Sequence, residues 1–224
     1  MVAGKLNAGN KDELIIDFGS PYGIWVRFDD GTWAQLHGLS PELMVTGELD
    51  GNNKDEIIID FGLPYGVWVR YDNGAWAQLH GLSAVLMATG DLDGNNKDEI
   101  IIDFGQANNS IWVRYDDGSW SNTCGISPNL MTIGNPNGNS KDEVIIDLGS
   151  PHGIWVSYDN YTVTTNVHSS SPGVMLTGKL DAGNKDEIIV DFGPSAGIWS
   201  MYNDTTWANI HSSSSESMIT GKLD

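Results

Sequence analysis

Cysteine is almost missing from this sequence. Cys124 stands alone among 224 residues, so no disulfide can form within the chain and cysteine usage leaves the redox compartment open. Basic residues are scarce as well, 11 against 30 acidic ones, for a formal net charge of −19 at pH 7. So few Lys and Arg argue against nucleic acid as a partner, because phosphates need cationic side chains, and against docking on anionic lipid. No apolar run approaches the ~20 residues of a membrane-spanning helix, so no membrane insertion is expected. The opening Met1-Val2-Ala3-Gly4-Lys5 has no apolar core segment and does not read as a secretory signal peptide. Helical periodicity is absent throughout. The surplus of acid favours solubility and attraction for cations.

What the chain does have is repetition. The stretch Glu48-Leu49-Asp50-Gly51-Asn52-Asn53-Lys54-Asp55-Glu56, followed by Ile57-Ile58-Ile59-Asp60-Phe61-Gly62, returns almost unchanged at Asp91 to Gly105. Looser copies begin at Lys5, Asn135 and Lys179. The Lys-Asp-Glu triplet starts at Lys11, Lys54, Lys97, Lys141 and Lys185, a period of 43 or 44 residues. A fixed period of that size marks one supersecondary unit stacked several times. Composition shows no shift at which to divide the repeats, so residues 1–224 are read as one domain.

The second repeat is the cleanest to read. Leu43 to Leu49 is rich in β-formers and ends in the turn signal Asp50-Gly51-Asn52-Asn53, which makes it a first strand. Glu56 to Phe61 is a second strand, whose three successive isoleucines imply that both faces are covered. Val67 to Tyr71 is a third. Asp72-Asn73-Gly74 is a tight turn, with Asn-Gly expected to supply positive φ, and Ala75 to His80 is a fourth strand. Four short antiparallel strands per 43–44 residues are the size and order of one propeller blade. The expected fold is therefore all-β, a five-bladed β-propeller. Gly4, Gly47, Gly90, Gly134, Gly178 and Gly221 fall inside first strands, where a close approach of another backbone is expected. The first strand occurs six times and the others five, because Met1 to Asn7 aligns with Met218 to Asp224. Either copy, 1–7 or 218–224, could complete the first blade. A monomer and a strand-swapped oligomer both stay open.

The turn between first and second strands carries oxygen-bearing side chains at alternate positions, and a short loop of that kind can wrap a hard cation such as calcium. With the Phe-Gly that ends the second strand and the Gly-Ile-Trp-Val pattern of the third, the chain resembles the FG-GAP and VCBS propeller repeats of the integrin α-chain type. That resemblance implies calcium in the loop as a structural ion. By position it implies Glu48, Asp50, Asn52 and Glu56 as ligands in the second repeat, and Asp91, Asp93, Asn95 and Glu99 in the third. A hydrogen-bonded turn without an ion is the alternative. The fourth loop, with Asn135, Asn137, Asn139 and Glu143, has little charge for an ion. The first and fifth open on Lys5 and Lys179, whose ammonium could take the ion's place. The resemblance also favours a secreted or cell-surface setting.

Asp17, Asp60, Asp103, Asp147 and Asp191 recur inside second strands, where a buried carboxylate needs donors. They are read as caps on turns, with Arg27, Arg70 and Arg114 as possible partners in three repeats. Trp25, Trp68, Trp112, Trp155 and Trp199 are read as packing between blades. A second set, Trp33, Trp76, Trp120 and Trp207, opens the fourth strand, with His37, His80 and His211 four residues on in three repeats. His168 and Cys124 stand at the corresponding place in the other two. Sugars stack their CH faces on indole and exchange hydrogen bonds with histidine. Trp33, His37, Trp76, His80, Trp120, Trp207 and His211 are therefore the candidate ligand-binding residues, and glycans the expected ligand class. Some propellers built of such repeats are lectins; the chain resembles the tachylectin type in having five blades, and fungal lectins with integrin-like calcium loops in its loop chemistry. A scaffold that binds a protein partner, or a repeat array with no ligand, is the rival reading. Nothing points to an enzyme: no nucleophile sits in a catalytic context, and near-identical repeats give near-identical sites.

Overall fold

The structure is a computed structural model that describes residues 1–161, 163–203 and 205–220. Each repeat forms one antiparallel sheet of four strands in chain order. The first holds β1 (Val2–Gly4), β2 (Glu13–Asp17), β3 (Ile24–Arg27) and β4 (Trp33–His37). The second holds β5 (Leu43–Gly47), β6 (Glu56–Asp60), β7 (Val67–Arg70) and β8 (Trp76–His80). In the third are β9 (Leu86–Gly90), β10 (Glu99–Asp103), β11 (Ile111–Arg114) and β12 (Trp120–Cys124). The fourth has β13 (Leu130–Gly134), β14 (Glu143–Asp147), β15 (Ile154–Tyr158) and β16 (Val163–His168), and the fifth β17 (Val174–Gly178), β18 (Glu187–Asp191), β19 (Ile198–Tyr202) and β20 (Thr206–His211). Five such sheets of about 44 residues are the blade architecture of a five-bladed β-propeller. The Met1–Asn7 copy supplies β1, which pairs Val2 with Ile15 and Gly4 with Glu13. Of the other copy, residues 218–220 carry no strand and 221–224, Gly221 included, lie outside the described residues.

Two compact units are distinguished: Met1–Thr89 with Asn96–Gly125, and Gly90–Asn95 with Ile126–Asp224. In the first, the isoleucine run explains itself. Ile57 and Ile59 pack with Ile15, Ile24 and Val26 of the preceding sheet, while Ile58 turns the other way to Ile100, Ile102 and Phe104 of the next. Side chains alternate along a strand, so a strand between two sheets needs apolar residues at every position, and Glu56 to Asp60 is buried throughout. In the second unit, Ile145, Ile154 and Val156 of the fourth sheet meet Met175, Ile188, Val190 and Met201 of the fifth.

The Lys-Asp-Glu triplet divides three tasks. Lys54 reaches Asp72 in the turn after the third strand, and Lys97 reaches Asp116 at 3.2 Å. The aspartate ties its repeat to the one before. Asp55 N–H donates to Lys5 C=O at 2.7 Å while its Oδ2 accepts Lys5 N–H at 2.8 Å. Asp98 does the same with Glu48, and in the second unit Asp142 with Asp91 and Asp186 with Asn135. The glutamate turns back into its own loop.

Two local expectations need correcting. A Cβ on Gly47 would lie 2.8 Å from Thr89 Cβ and 2.9 Å from Asp98 Oδ2, so the neighbour that excludes a side chain is a threonine and a carboxylate of the next repeat, not backbone. That threonine is fixed by donating to Thr46 C=O at 2.6 Å. In the Asp72-Asn73-Gly74 turn only Gly74 has positive φ, 86°; Asn73 contributes its Oδ1, which accepts Ala75 N–H at 2.8 Å.

Candidate functional site

The aromatic residues assemble across repeats. At the end of β4, His37 lies 4.7 Å from the ring of Phe61 and 5.6 Å from that of Trp76, both in the next sheet. The grouping returns as His80 with Phe104 (4.4 Å) and Trp120 (5.8 Å) in the same unit. In the second unit His168 meets Phe192 (4.4 Å) and Trp207 (5.1 Å). The Trp and His of a single repeat are thus not partners; each of these three histidines meets the tryptophan of the following repeat. Trp33 instead lies 5.9 Å from Phe18 of its own sheet, half-exposed, and His211 is exposed at the end of β20.

The four strand-end histidines are oriented by their own chain. His37 Nδ1 accepts Leu39 N–H at 3.1 Å, and His80, His168 and His211 accept from Leu82, Ser170 and Ser213 in the same way. A ring whose Nδ1 accepts a hydrogen bond has Nε2–H as its donor.

Beside the triads lie cavities. One of about 270 Å³ is lined by His37, Leu39, Phe61, Tyr65, Trp68 and Trp76. A second, of about 420 Å³, has His80, Phe104, Trp112 and Trp120 on its aromatic sides and Asn108 and Asn109 as polar ones. A third, of about 510 Å³, is formed by Phe18, Tyr22, Trp25 and Trp33 alone. Trp25, Trp68 and Trp112, expected as packing between blades, line these open spaces, and of the three Trp112 also packs against the core of the first unit. The indole N–H groups of Trp25 and Trp68 hold the loop carbonyls of Tyr22 and Tyr65, at 2.9 Å each, and Gln35 and Gln78 donate to the same two carbonyls at 2.8 Å. The loop tyrosines are therefore held in place by two donors apiece.

Phe61, Phe104 and Phe192, and His168, were missed as site residues. One sequence signal could have found them. The fourth repeat has Leu148 for the phenylalanine and Val163 for the tryptophan, and the repeat before it has Cys124 for the histidine. All three residue types are thus lost together in the sequence.

The recurring strand aspartates cap turns. Asp60 Oδ1 accepts Gly62 N–H at 2.9 Å, and its Oδ2 accepts Ser83 Oγ–H at 2.7 Å and Ala84 N–H at 2.8 Å. Asp191 accepts from Gly193, Ser214 and Ser215. Burial pushes the Asp191 carboxyl up, but the Ser214 hydroxyl, the N–H groups of Ser215 and Gly193 and the Ser215 hydroxyl outweigh it and hold the group down at about 2. The arginines take no part at Asp60: Arg70 donates to Tyr71 C=O.

In the second loop, Glu48, Asp50 and Glu56 bring carboxylate oxygens within 4.8 Å of one another. Glu48 Oε1 accepts the N–H groups of Asp50, Gly51 and Asn52, and Glu56 Oε2 accepts Leu49 N–H at 2.9 Å. Glu56 is fully buried and its Oε1 has no hydrogen-bond partner. Burial, with a contribution from the nearby Asp50 charge, pushes its carboxyl up to about 7 against the pull of Leu49 N–H. An orphaned buried oxygen on one member of a three-carboxylate cluster fits a hard cation. Asn52 is also within reach of Asp72, whose carboxyl is held down first by Lys54 and more weakly by that amide. In the third loop, Asp91 Oδ1 accepts Gly94 and Asn95 N–H in the second unit, and Glu99 is buried in the first.

No family model matches the chain and no curated protein matches it. Solved structures do. An Agrocybe aegerita lectin, described for specific recognition of non-reducing terminal N-acetylglucosamine, aligns with TM-score 0.66 at 16% identity over 92% of this chain and 64% of its own. A Bacillus licheniformis rhamnogalacturonan lyase aligns with TM-score 0.52 at 14% identity, over 91% and 49%. The V. cholerae biofilm matrix protein Bap1 aligns with TM-score 0.51 at 16% identity, over 92% and 38%. The chain spans between 38% and 64% of the length of these structures, and at such identities the likeness is one of fold.

Proposed function

We propose that this chain is a multivalent, non-catalytic carbohydrate-binding module whose sites are the notches where a histidine ending one sheet meets the phenylalanine and tryptophan of the next. The observation that carries the reading is the recurrence of one chemical unit: an indole face, a second aromatic wall and an imidazole Nε2–H donor, at His37, His80 and His168. A pyranose presents an apolar CH face to an aromatic ring and hydroxyls to a donor beside it. Apolar cavities of 270–420 Å³ with a few converging polar groups are the usual form of a small-molecule site. The fold likeness to a lectin that recognises terminal N-acetylglucosamine supports the ligand class. Several weak, similar sites on one chain gain avidity on a surface dense in the same sugar.

Calcium belongs to this proposal as a structural ion. Glu48, Asp50, Asn52 and Glu56 would hold it in the second loop, and Asp91, Asp93, Asn95 and Glu99 carry the same chemistry in the third. It would neutralise the buried glutamate and fix the loop, with no part in sugar contact.

The test is titration of free monosaccharides, N-acetylglucosamine first, followed by tryptophan fluorescence. Saturable binding weakened on the order of tenfold at one site by Trp76→Ala is expected. No saturation with any sugar, together with capture of one protein partner, would favour the scaffold reading instead.

A further inference from the structure

The inter-strand loops satisfy one buried glutamate in two ways. Glu13, Glu56, Glu99, Glu143 and Glu187 are all at most 2% exposed. A buried carboxylate needs donors or a cation at its oxygens. In the first, second and fifth loops one oxygen accepts the N–H of Leu6, Leu49 or Leu180. What meets the other depends on the residue six positions before the glutamate.

In the first loop that residue is Asn7, whose Nδ2 donates to Glu13 Oε1. In the fourth it is Asn137, whose Nδ2 donates to Glu143 Oε1 at 2.6 Å; Pro136 stands there in the leucine's place and has no N–H for the other oxygen, so the amide is the one feature this loop shares with the first. In the second it is Asp50, which when ionised has no proton to give, and there Glu56 Oε1 is left without a partner. The remaining chemistry follows the same division. Glu48 adds a third carboxylate where Asp50 stands, whereas Lys5 and Asn135 occupy that opening position where the amide stands. The expected role of the Lys5 ammonium thus falls to the Asn7 amide. The fifth loop has Asp181, but with Lys179 and Gly183 in place of Glu48 and Asn52 it lacks two oxygen donors and stays outside the assignment.

We infer that the residue six positions before the buried glutamate selects how its loop is closed: asparagine places an amide N–H where the ion would sit and makes the loop independent of metal, and aspartate leaves that position to a divalent cation. The inference rests on the metal reading above for the second loop, while its amide half stands on Asn7 and Asn137 alone.

The test compares wild type, Asp50→Asn and Asp50→Ala by thermal melting in chelator and in excess calcium, with calcium binding counted by calorimetry. Asp50→Asn should melt above wild type in chelator by about 2–4 °C, lose the rise that calcium gives wild type, and bind one calcium fewer. Asp50→Ala should lose the calcium response without the gain in chelator. If Asp50→Asn melts no higher than Asp50→Ala in chelator, the inference is overturned whatever the wild type does with calcium. If calcium leaves wild type unchanged while Asp50→Asn still melts higher, the metal reading fails and the amide assignment is supported.

Discussion

Replacing Glu56 with glutamine isolates the electrostatic cost built into the second loop. The wild-type carboxyl is fully buried beside Glu48 and Asp50, with one oxygen on Leu49 N–H and the other without a hydrogen-bond partner. Its rise from 4.5 to about 7 means that the folded chain binds a proton there that the unfolded chain has already released. Without a cation, stability should therefore fall as pH rises from about 4.5 to about 7, then level off. The size of the effect is on the order of 3 kcal/mol, or roughly 6–12 °C in melting temperature for a chain of this length. Glu56→Gln keeps an oxygen for Leu49 N–H and carries no charge. In chelator it should match wild type near pH 4.5 and exceed it above pH 7, and calcium should close the gap by stabilising wild type alone. The assay is thermal melting monitored by circular dichroism, with and without chelator. A wild-type melting temperature independent of pH between 5 and 8 in chelator would refute the reasoning.

Other expectations can be checked by the same melts. Asp60→Ala strands the donors of Gly62, Ser83 and Ala84 in a buried place, and should cost about 3–5 kcal/mol; a loss below about 1 kcal/mol would show that water replaces the carboxylate. Gly47→Ala should destabilise by at least about 1 kcal/mol, because its Cβ would sit 2.8 Å from Thr89 Cβ and 2.9 Å from Thr89 Cγ2; Thr89→Ser removes the Cγ2 and should recover part of the loss, and no recovery would place the strain at the Cβ or at Asp98. Asp191 is held down at about 2, so its contribution is present above the ordinary 3.8 and is lost as pH falls through about 2. Asp191→Ala should flatten that acid limb of the stability curve, and an unchanged limb would assign it to other carboxylates.

Much of the fold was legible because local rules and the period agree. Ile57-Ile58-Ile59 announces a strand covered on both faces, and β6 has one isoleucine pair toward one neighbouring sheet and one residue toward the other. The strand aspartates were legible as caps, since a carboxylate one residue before a Phe-Gly turn has N–H donors close at hand. The site was legible only in part. Trp and His were recognised by type, but the partner of His37 is Trp76 and not Trp33, and sheet-to-sheet register is not written in the spacing within one repeat. Phe61 was read as a strand ending, and only its loss as Leu148, alongside Val163 and Cys124, reveals it as one member of a set. Asn7 was hidden for a different reason. An asparagine in a Gly-rich loop reads as a turn residue, and its bond to Glu13 emerges only when the glutamate is seen to be buried.

The most direct test is a glycan array, run with calcium and with chelator, on wild type and on the combined Trp76→Ala, Trp120→Ala and Trp207→Ala variant. Selective binding of wild type to one family of terminal sugars, lost in the folded variant, is the expected result, with calcium affecting it only through stability. A blank array for folded wild type in both conditions, or binding that survives loss of all three tryptophans, would contradict the assignment of these notches as sugar sites.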